Sequence, residues 1–228
     1  MSYPNQPIYT LNDIKVNFSR KVTLNIPNFK FHRGAIYGIT GPISSGKSTF
    51  LNLLSFNLNN FSGVLLFEEN LFKKKWYKPN TTPEGILYAG SYPNPSNETI
   101  KEFLTRVFKE KINVIKKQYF LKENFSSFWD TPLKNLSTGQ MKRLSLIYAI
   151  EMDPKVLLVD NYGDCFDRNT IIEFNKKLKY NARSRGTTII LSTSRYKDVI
   201  DISNILLFLD KGHLSKIRSQ KKINHKRK

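Results

Sequence analysis

The chain has 228 residues, 39% hydrophobic and 13% aromatic, enough for one well-buried α/β domain, alone or with a small appended lobe. No stretch approaches the roughly 18 uninterrupted apolar residues of a membrane span, the opening Met1–Pro7 segment is polar rather than leader-like, and the single cysteine, Cys165, excludes an internal disulfide and fits a reducing compartment. Thirty-seven Lys and Arg against eighteen Asp and Glu give a net charge of +19, which favours an anionic partner such as nucleic acid or a negatively charged membrane face.

The basic residues are spread along the chain and become dense only at its end, where Lys211, Lys216, Arg218, Lys221, Lys222, Lys226, Arg227 and Lys228 crowd together. A compositional habit of Lys, Asn and Ile accounts for part of the excess. The chain is therefore expected to be soluble or peripheral.

In chain order, Tyr9 to Val16 and Val22 to Phe31 read as two β-rich segments, the second alternating in part as Val22, Leu24 and Ile26. Asn17-Phe18-Ser19-Arg20 is expected to be the turn between them. Phe18 has two readings, an aromatic platform for a nucleotide base or a core residue of the hairpin, and local sequence favours the core.

Ala35 to Thr40 is an apolar run of strand length, and Phe50 to Leu54 carries a helical apolar face. Between them stands Gly41-Pro42-Ile43-Ser44-Ser45-Gly46-Lys47-Ser48-Thr49, which fits the phosphate-binding pattern G-x-x-x-x-G-K-[ST]. A strand, a glycine-bearing turn and a helix is the context that this motif needs. Gly41 and Gly46 let the backbone turn tightly and approach a ligand without a Cβ, so that successive N–H groups converge on phosphate oxygens at a helix N-terminus. Lys47 reaches the outer phosphates, and the Ser48 hydroxyl is placed to ligate Mg²⁺.

Phe61-Ser62-Gly63 is expected to turn into a short strand, Val64 to Phe67, and Glu68 to Pro79 to be charged, irregular surface. Ile86 to Ala89 is a further buried strand, broken by Gly90-Ser91-Tyr92-Pro93-Asn94-Pro95. Thr99 to Phe128 has helical periodicity, with Phe103, Val107 and Phe108 on one face, and is expected to form the body of an inserted helical lobe. Leu136-Ser137-Thr138-Gly139-Gln140 opens another helix. Asp160 closes the apolar strand Val156 to Val159, and a carboxylate at the carboxyl end of a buried strand beside a phosphate loop is where Mg²⁺ is held in such an architecture.

Phosphate loop, Leu-Ser-Thr-Gly-Gln at the start of a helix, then an apolar strand ending in Asp resembles the nucleotide-binding domain of ABC transporters over about residues 8 to 216. Thr138 alone departs from the usual LSGGQ signature. The resemblance implies a P-loop α/β fold of the ABC ATPase type, with a mixed-sheet core, an N-terminal antiparallel β subdomain and an inserted helical lobe. The domain is expected to span 1–218, with the lobe at about 91–150 and a basic tail at 219–228. The resemblance also implies ATP and Mg²⁺ as cofactors. Phe18 falls where an aromatic stacks on adenine, Gly41, Ser44, Ser45, Gly46, Lys47, Ser48 and Thr49 match the phosphate and Mg²⁺ contacts, and Asp160 matches the Mg²⁺-associated Asp. Ser137 and Gly139 match the signature loop, which in the family contacts the γ-phosphate held by a second subunit facing head to tail. Asp167 matches the Asp of the loop that crosses that interface, and Ile205 to Leu214 the final hairpin.

Three positions depart from the family. The residue after Asp160 is normally Glu, which orients or deprotonates the attacking water; here it is Asn161, and an amide cannot take a proton. Ser91 stands where a Gln is expected, and Ser194 where a His would contact the γ-phosphate. Groups that bind nucleotide remain while groups that position water are gone. The resemblance therefore implies an ATP-binding subunit that pairs with a like or unlike second ABC subunit, serves a separate integral membrane partner from the cytoplasmic face, and hydrolyses ATP weakly. Asp164 is a lesser candidate for a substitute carboxylate. The alternative is a soluble ATP-dependent nucleic-acid- or ribosome-binding ABC protein, and the tail offers a contact for anionic lipid or simply a solvated end.

Overall fold

The computed structural model describes residues 7–18, 21–58, 60–71, 82–90, 93–120 and 126–219. The chain divides into two compact units, Met1–Tyr88 with Asp153–Lys228, and Ala89–Met152.

The first unit is built on one sheet. Its strands are β1 (Pro7–Phe18), β2 (Lys21–Ile26), β3 (Phe29–His32), β4 (Ile36–Thr40), β5 (Phe61–Phe67), β6 (Asn70–Leu71), β7 (Ile86–Ala89), β8 (Val156–Val159), β9 (Thr188–Thr193), β10 (Ile205–Asp210) and β11 (His213–Ser219). They lie in the order β6-β5-β1-β2-β11-β10-β4-β9-β8-β7, with β3 also paired to β1. Strands β10, β4, β9 and β8 run parallel, and every residue of β4, β8 and β9 is buried. That burial explains their unbroken apolar spelling, because parallel strands are covered on both faces. The antiparallel half, β1 with β2, β3 and β5, keeps an alternating pattern.

Strand β1 is longer than the sequence suggests. It runs through Asn17 and Phe18, with Phe18 paired to Lys21, so half of the expected turn is strand, and Ser19 and Arg20 lie outside the described residues. The segment from Val22 to Phe31 is two strands because Pro27 interrupts it: proline has no N–H to donate to a ladder. Gly63 is not a turn residue. It sits inside β5 with φ of 96°, opposite an irregularity of β1 between Asn12 and Lys15. A Cβ there would lie 2.4 Å from the Asp13 carbonyl oxygen.

The core of this unit is aromatic. Tyr9, Phe31, Tyr37 and Phe50 are fully buried, and Phe31 meets Tyr37 edge-on with centroids 4.7 Å apart. The two phenols keep partners: Tyr9 Oη donates to the Leu54 carbonyl at 2.8 Å, and Tyr37 Oη accepts from the His32 N–H at 2.7 Å. Burial pushes the Tyr37 phenol up to about 12, offset in part by that backbone bond. Helices α1 (Lys47–Leu54), α5 (Arg168–Tyr180) and α6 (Tyr196–Ile200) also belong here.

The second unit holds α2 (Ile100–Val107), α3 (Ile112–Tyr119) and α4 (Thr138–Glu151). Thr99 to Phe128 is not one helix. The chain leaves the helical region at Phe108, φ −122° and ψ 43°, and resumes after a 3-10 turn at Lys109–Lys111. Thr99 and Glu102 form a capping box at the start of α2, and the buried face is Ile100, Phe103 and Leu104. Phe120 stacks edge-on against Trp129 at 4.7 Å, and the buried Glu151 carboxylate accepts from Tyr119 Oη at 2.7 Å. No helix among the described residues is long and apolar enough to cross a membrane.

Candidate functional site

The site grows from the end of β4. The chain leaves the buried strand at Thr40, forms the loop Gly41 to Gly46 and enters α1, with Gly46 at the N-cap in the left-handed region, φ 101°. That φ is a reason for glycine at position 46. Gly41 is required for another reason: a Cβ would lie 2.0 Å from the Leu209 carbonyl oxygen, so the end of β10 presses on the start of the loop. Ser44 also takes a positive φ, 64°, and is exposed.

The loop is held from below. Ser45 is buried; its N–H donates to the Pro42 carbonyl at 3.2 Å, and its carbonyl accepts from the Gly212 N–H at 2.9 Å. The Gly212 carbonyl in turn accepts from Asn25 of β2 at 2.7 Å, and a Cβ on Gly212 would lie 2.4 Å from the Thr23 carbonyl oxygen. Lys47 is buried and its Nζ donates to the carbonyls of Gly41 at 2.9 Å and Pro42 at 2.7 Å. Burial lowers the Lys47 ammonium below its ordinary value, while the charges of Asp160 and Asp164 work to raise it. Ser48 is exposed and Thr49 half-buried in the first helical turn, where backbone N–H groups have no intrahelical acceptor.

Strand order supplies the other half. Because β9 lies between β4 and β8, the ends of all three strands are neighbours, with Thr40 beside Thr193 and Val159 beside Leu191. Asp160 follows β8, and Ser192 is the last residue but one of β9. The Ser192 hydroxyl donates to Asp160 Oδ1, Asn161 N–H donates to Asp160 Oδ1 at 3.0 Å and to Ser192 Oγ at 3.1 Å, and Tyr88 Oη of β7 reaches Asp160 Oδ2 at 3.3 Å. Burial, then the Asp160 charge, pushes the Tyr88 phenol well up, so Tyr88 stays a neutral donor.

Asn161 itself has φ of 51° and is exposed; asparagine is among the few non-glycine residues that tolerate this region. Ser194 is exposed immediately beyond β9. Asp167 caps α5, accepting from the Thr170 N–H at 2.8 Å. Ser137 caps α4 in the second unit through a box with Gln140, at 3.3 and 2.8 Å, and Gly139 lies in the first turn behind it. Phe18 ends β1, but its side chain lies outside the described residues, as does Ser91. Leu209, Gly212, Ser192 and Tyr88 were not legible as site residues. Only a Gly in the turn between two strands and a Ser at a strand end hinted at two of them.

The family profile described as ABC transporter matches residues 24–162, which contain the loop, the signature helix and Asp160.

The chain belongs to the ABC transporter family.

The ABC relatives include a methionine import ATP-binding protein, MetN, of Chlamydia pneumoniae, 24% identical over 95% of this chain and 67% of its own length. A lantibiotic transport ATP-binding protein, SrtF, of Streptococcus pyogenes is 22% identical over 90% of this chain and 87% of its own. Among solved structures, an ATP-binding subunit of an ABC transporter superposes with a TM-score of 0.76 at 14% identity, covering 93% of this chain and 90% of that one. CbiO1 of Clostridium perfringens, part of the ABC transporter complex cbiONQ, gives 0.75 at 21% identity over 94% and 89%. These structural likenesses establish the ABC ATPase fold.

The residues present fit MgATP, the cofactor of ABC ATPase domains. The ammonium of Lys47 and the left-handed turn at Gly46 suit a phosphate chain, and the Asp160 carboxylate and the Ser48 hydroxyl are oxygen ligands of the kind that suits a hard divalent cation. Bound there, the cation supplies charge neutralisation of the phosphate oxygens.

Proposed function

We propose that this chain is the ATP-binding subunit of an ABC transporter that grips MgATP more firmly than it cleaves it. The observation that carries the reading is that Lys47, at the start of α1, lies within the field of the Asp160 carboxylate while the next residue, Asn161, presents an amide. Lys47 and the loop N–H groups bind the phosphates. Ser48 and Asp160 hold the cation, and Ser192, Tyr88 and the Asn161 N–H orient the Asp160 carboxylate. No proton acceptor stands at position 161, and Ser194 offers a hydroxyl where an imidazole would contact the outer phosphate. Loss of a general base commonly costs 10²–10⁴-fold in rate.

The second unit carries the signature turn, Ser137 to Gln140, whose exposed cap is suited to cover the nucleotide of a second ABC subunit. In this reading the chain sits peripherally on the cytoplasmic face of a membrane and closes on ATP to drive or gate an integral membrane partner. The import and transport roles in the names of its relatives support that assignment.

Fluorescent-ATP binding together with steady-state turnover tests it. The wild-type chain is expected to bind MgATP and turn over slowly, Lys47→Ala to lose binding, and Asn161→Glu to gain turnover, allowing for the strain of Glu at a left-handed position. A brisk wild-type rate that Asp160→Ala abolishes refutes the weak-hydrolysis claim. Failure of the wild-type chain to bind ATP refutes the whole reading.

A further inference from the structure

Beyond the nucleotide contacts lies a bracket around the loop that follows β8. Its centre is Arg195, next to Ser194. The Arg195 guanidinium donates through one terminal nitrogen to the Gly163 carbonyl and through Nε to Asp198 Oδ2 at 2.8 Å, while its backbone N–H donates to Thr193 Oγ1 at 3.0 Å. Gly163 is shaped for this arrangement: its φ is 87°, and a Cβ would lie 2.6 Å from Asp198 Oδ2 and 3.3 Å from the guanidinium. The same loop is tied to β9 by Tyr162, whose N–H donates to the Ser192 carbonyl at 2.7 Å, and to α5 by Tyr162 Oη on Asn175 Oδ1 at 2.6 Å. Within the loop, Asp164 N–H meets the Asn161 carbonyl at 3.3 Å and Phe166 N–H the Gly163 carbonyl at 3.1 Å.

The Gly163 carbonyl thus has two donors, one local and one from the end of β9. The local bond folds the loop; the charged one fixes it to the strand. With its guanidinium engaged by Asp198 and Gly163, Arg195 does not stand in for the missing imidazole at position 194.

We propose that Arg195 is a positioning residue that locks the Asn161 to Phe166 loop onto the end of β9, so that Asn161, Ser194 and the loop between Asp160 and Asp167 move as one body. The consequence for a second subunit, a surface pre-set for ATP-dependent pairing, rests on the function proposed above; the lock itself does not. A charge-assisted bond is the stronger kind, and its loss leaves the Gly163 carbonyl with its local bond from the Phe166 N–H.

The chain's single cysteine, Cys165, lies in this loop and is exposed, so it reports on the lock directly. In the full-length protein, the rate at which Cys165 reacts with a thiol reagent, and the mobility of a nitroxide attached there, are compared among wild type, Arg195→Ala, Arg195→Lys and Gly163→Ala. Arg195→Ala is expected to raise the reaction rate at least about fivefold, the worth of one such bond, with the melting temperature little changed and fluorescent-ATP binding within about twofold. Arg195→Lys is expected to restore part of the protection, and Gly163→Ala to loosen the loop from the other side by displacing Asp198. Wild-type thiol reactivity in a folded Arg195→Ala protein overturns the proposal, and so does loosening that Arg195→Lys reproduces in full. Should Arg195→Ala fail to fold, Gly163→Ala decides on the same readout. A wild-type chain that ignores ATP while Arg195→Ala still frees Cys165 refutes the proposed function and leaves the lock standing.

Discussion

Gly41→Ala isolates the packing that sets the phosphate loop. Its added methyl would lie 2.0 Å from the Leu209 carbonyl oxygen, and ordinary van der Waals contact begins near 3.4 Å, so more than an ångström must be found. The obstacle is backbone in a buried strand, with Leu209 1% exposed, and no side chain can rotate away. Overpacking of this kind costs about 1–3 kcal/mol, sometimes more, which for a chain of this size is about 2–12 °C in melting temperature. The larger effect is on the ligand, since a displacement of about 1 Å in a binding group can cost about a hundredfold. Thermal unfolding and fluorescent-ATP titration measure the two effects together. Gly186→Ala is the control: φ is 74° but nothing lies within 4 Å of the added Cβ, so it should lose about 1 kcal/mol from backbone strain and bind ATP normally. A Gly41→Ala protein with wild-type melting and ATP affinity within twofold would refute the reasoning.

Ser192→Ala removes the hydroxyl that both donates to Asp160 and accepts from Asn161 N–H, at a position 0% exposed; it should cost about 1.5–3 kcal/mol in denaturant unfolding, as for bonds to charged groups, and weaken Mg²⁺-dependent ATP binding more than Mg²⁺-free binding. Asn161→Gly should be close to neutral for stability and Asn161→Ala should cost about 1 kcal/mol, because φ of 51° suits asparagine and glycine and strains alanine; equal melting of the two would contradict this. Glu68 bridges Arg33 at 2.8 Å and Lys155 at 3.0 Å. Partial burial tends to raise its carboxyl, but the hydrogen bonds and charges of the two cations prevail and hold it below its ordinary value. Its stabilisation is therefore present above about pH 4.5 and lost as the pH falls through the depressed value. Glu68→Gln should cost at most about 1 kcal/mol at pH 7, and the gap from wild type in urea unfolding should close under acid conditions. Tyr119→Phe strands one oxygen of the buried Glu151 carboxylate and should cost about 1–3 kcal/mol, read by chemical denaturation.

Local spelling made the loop, cap and strand-end motifs of this chain legible. A loop of the form Gly-x-x-x-x-Gly-Lys-Ser between an apolar run and a helical face, a Ser-x-x-Gln cap and an Asp after four apolar residues each declare themselves within a few positions, because hydrogen-bonding turns and caps are short-range. Helix breaks were less legible: Phe108 ends α2 although the periodicity continues, since an apolar face can be read through a kink. What the fold alone decided is which strands are neighbours. Placing β9 between β4 and β8 puts the Ser192 hydroxyl on Asp160 and Arg195 under the loop that follows β8, while pairing β10 with the other side of β4 places Leu209 against Gly41 and Gly212 under the phosphate loop. Those pairings come from burying apolar strands side by side, and an apolar strand carries no record of its neighbours' identity until the whole sheet has formed.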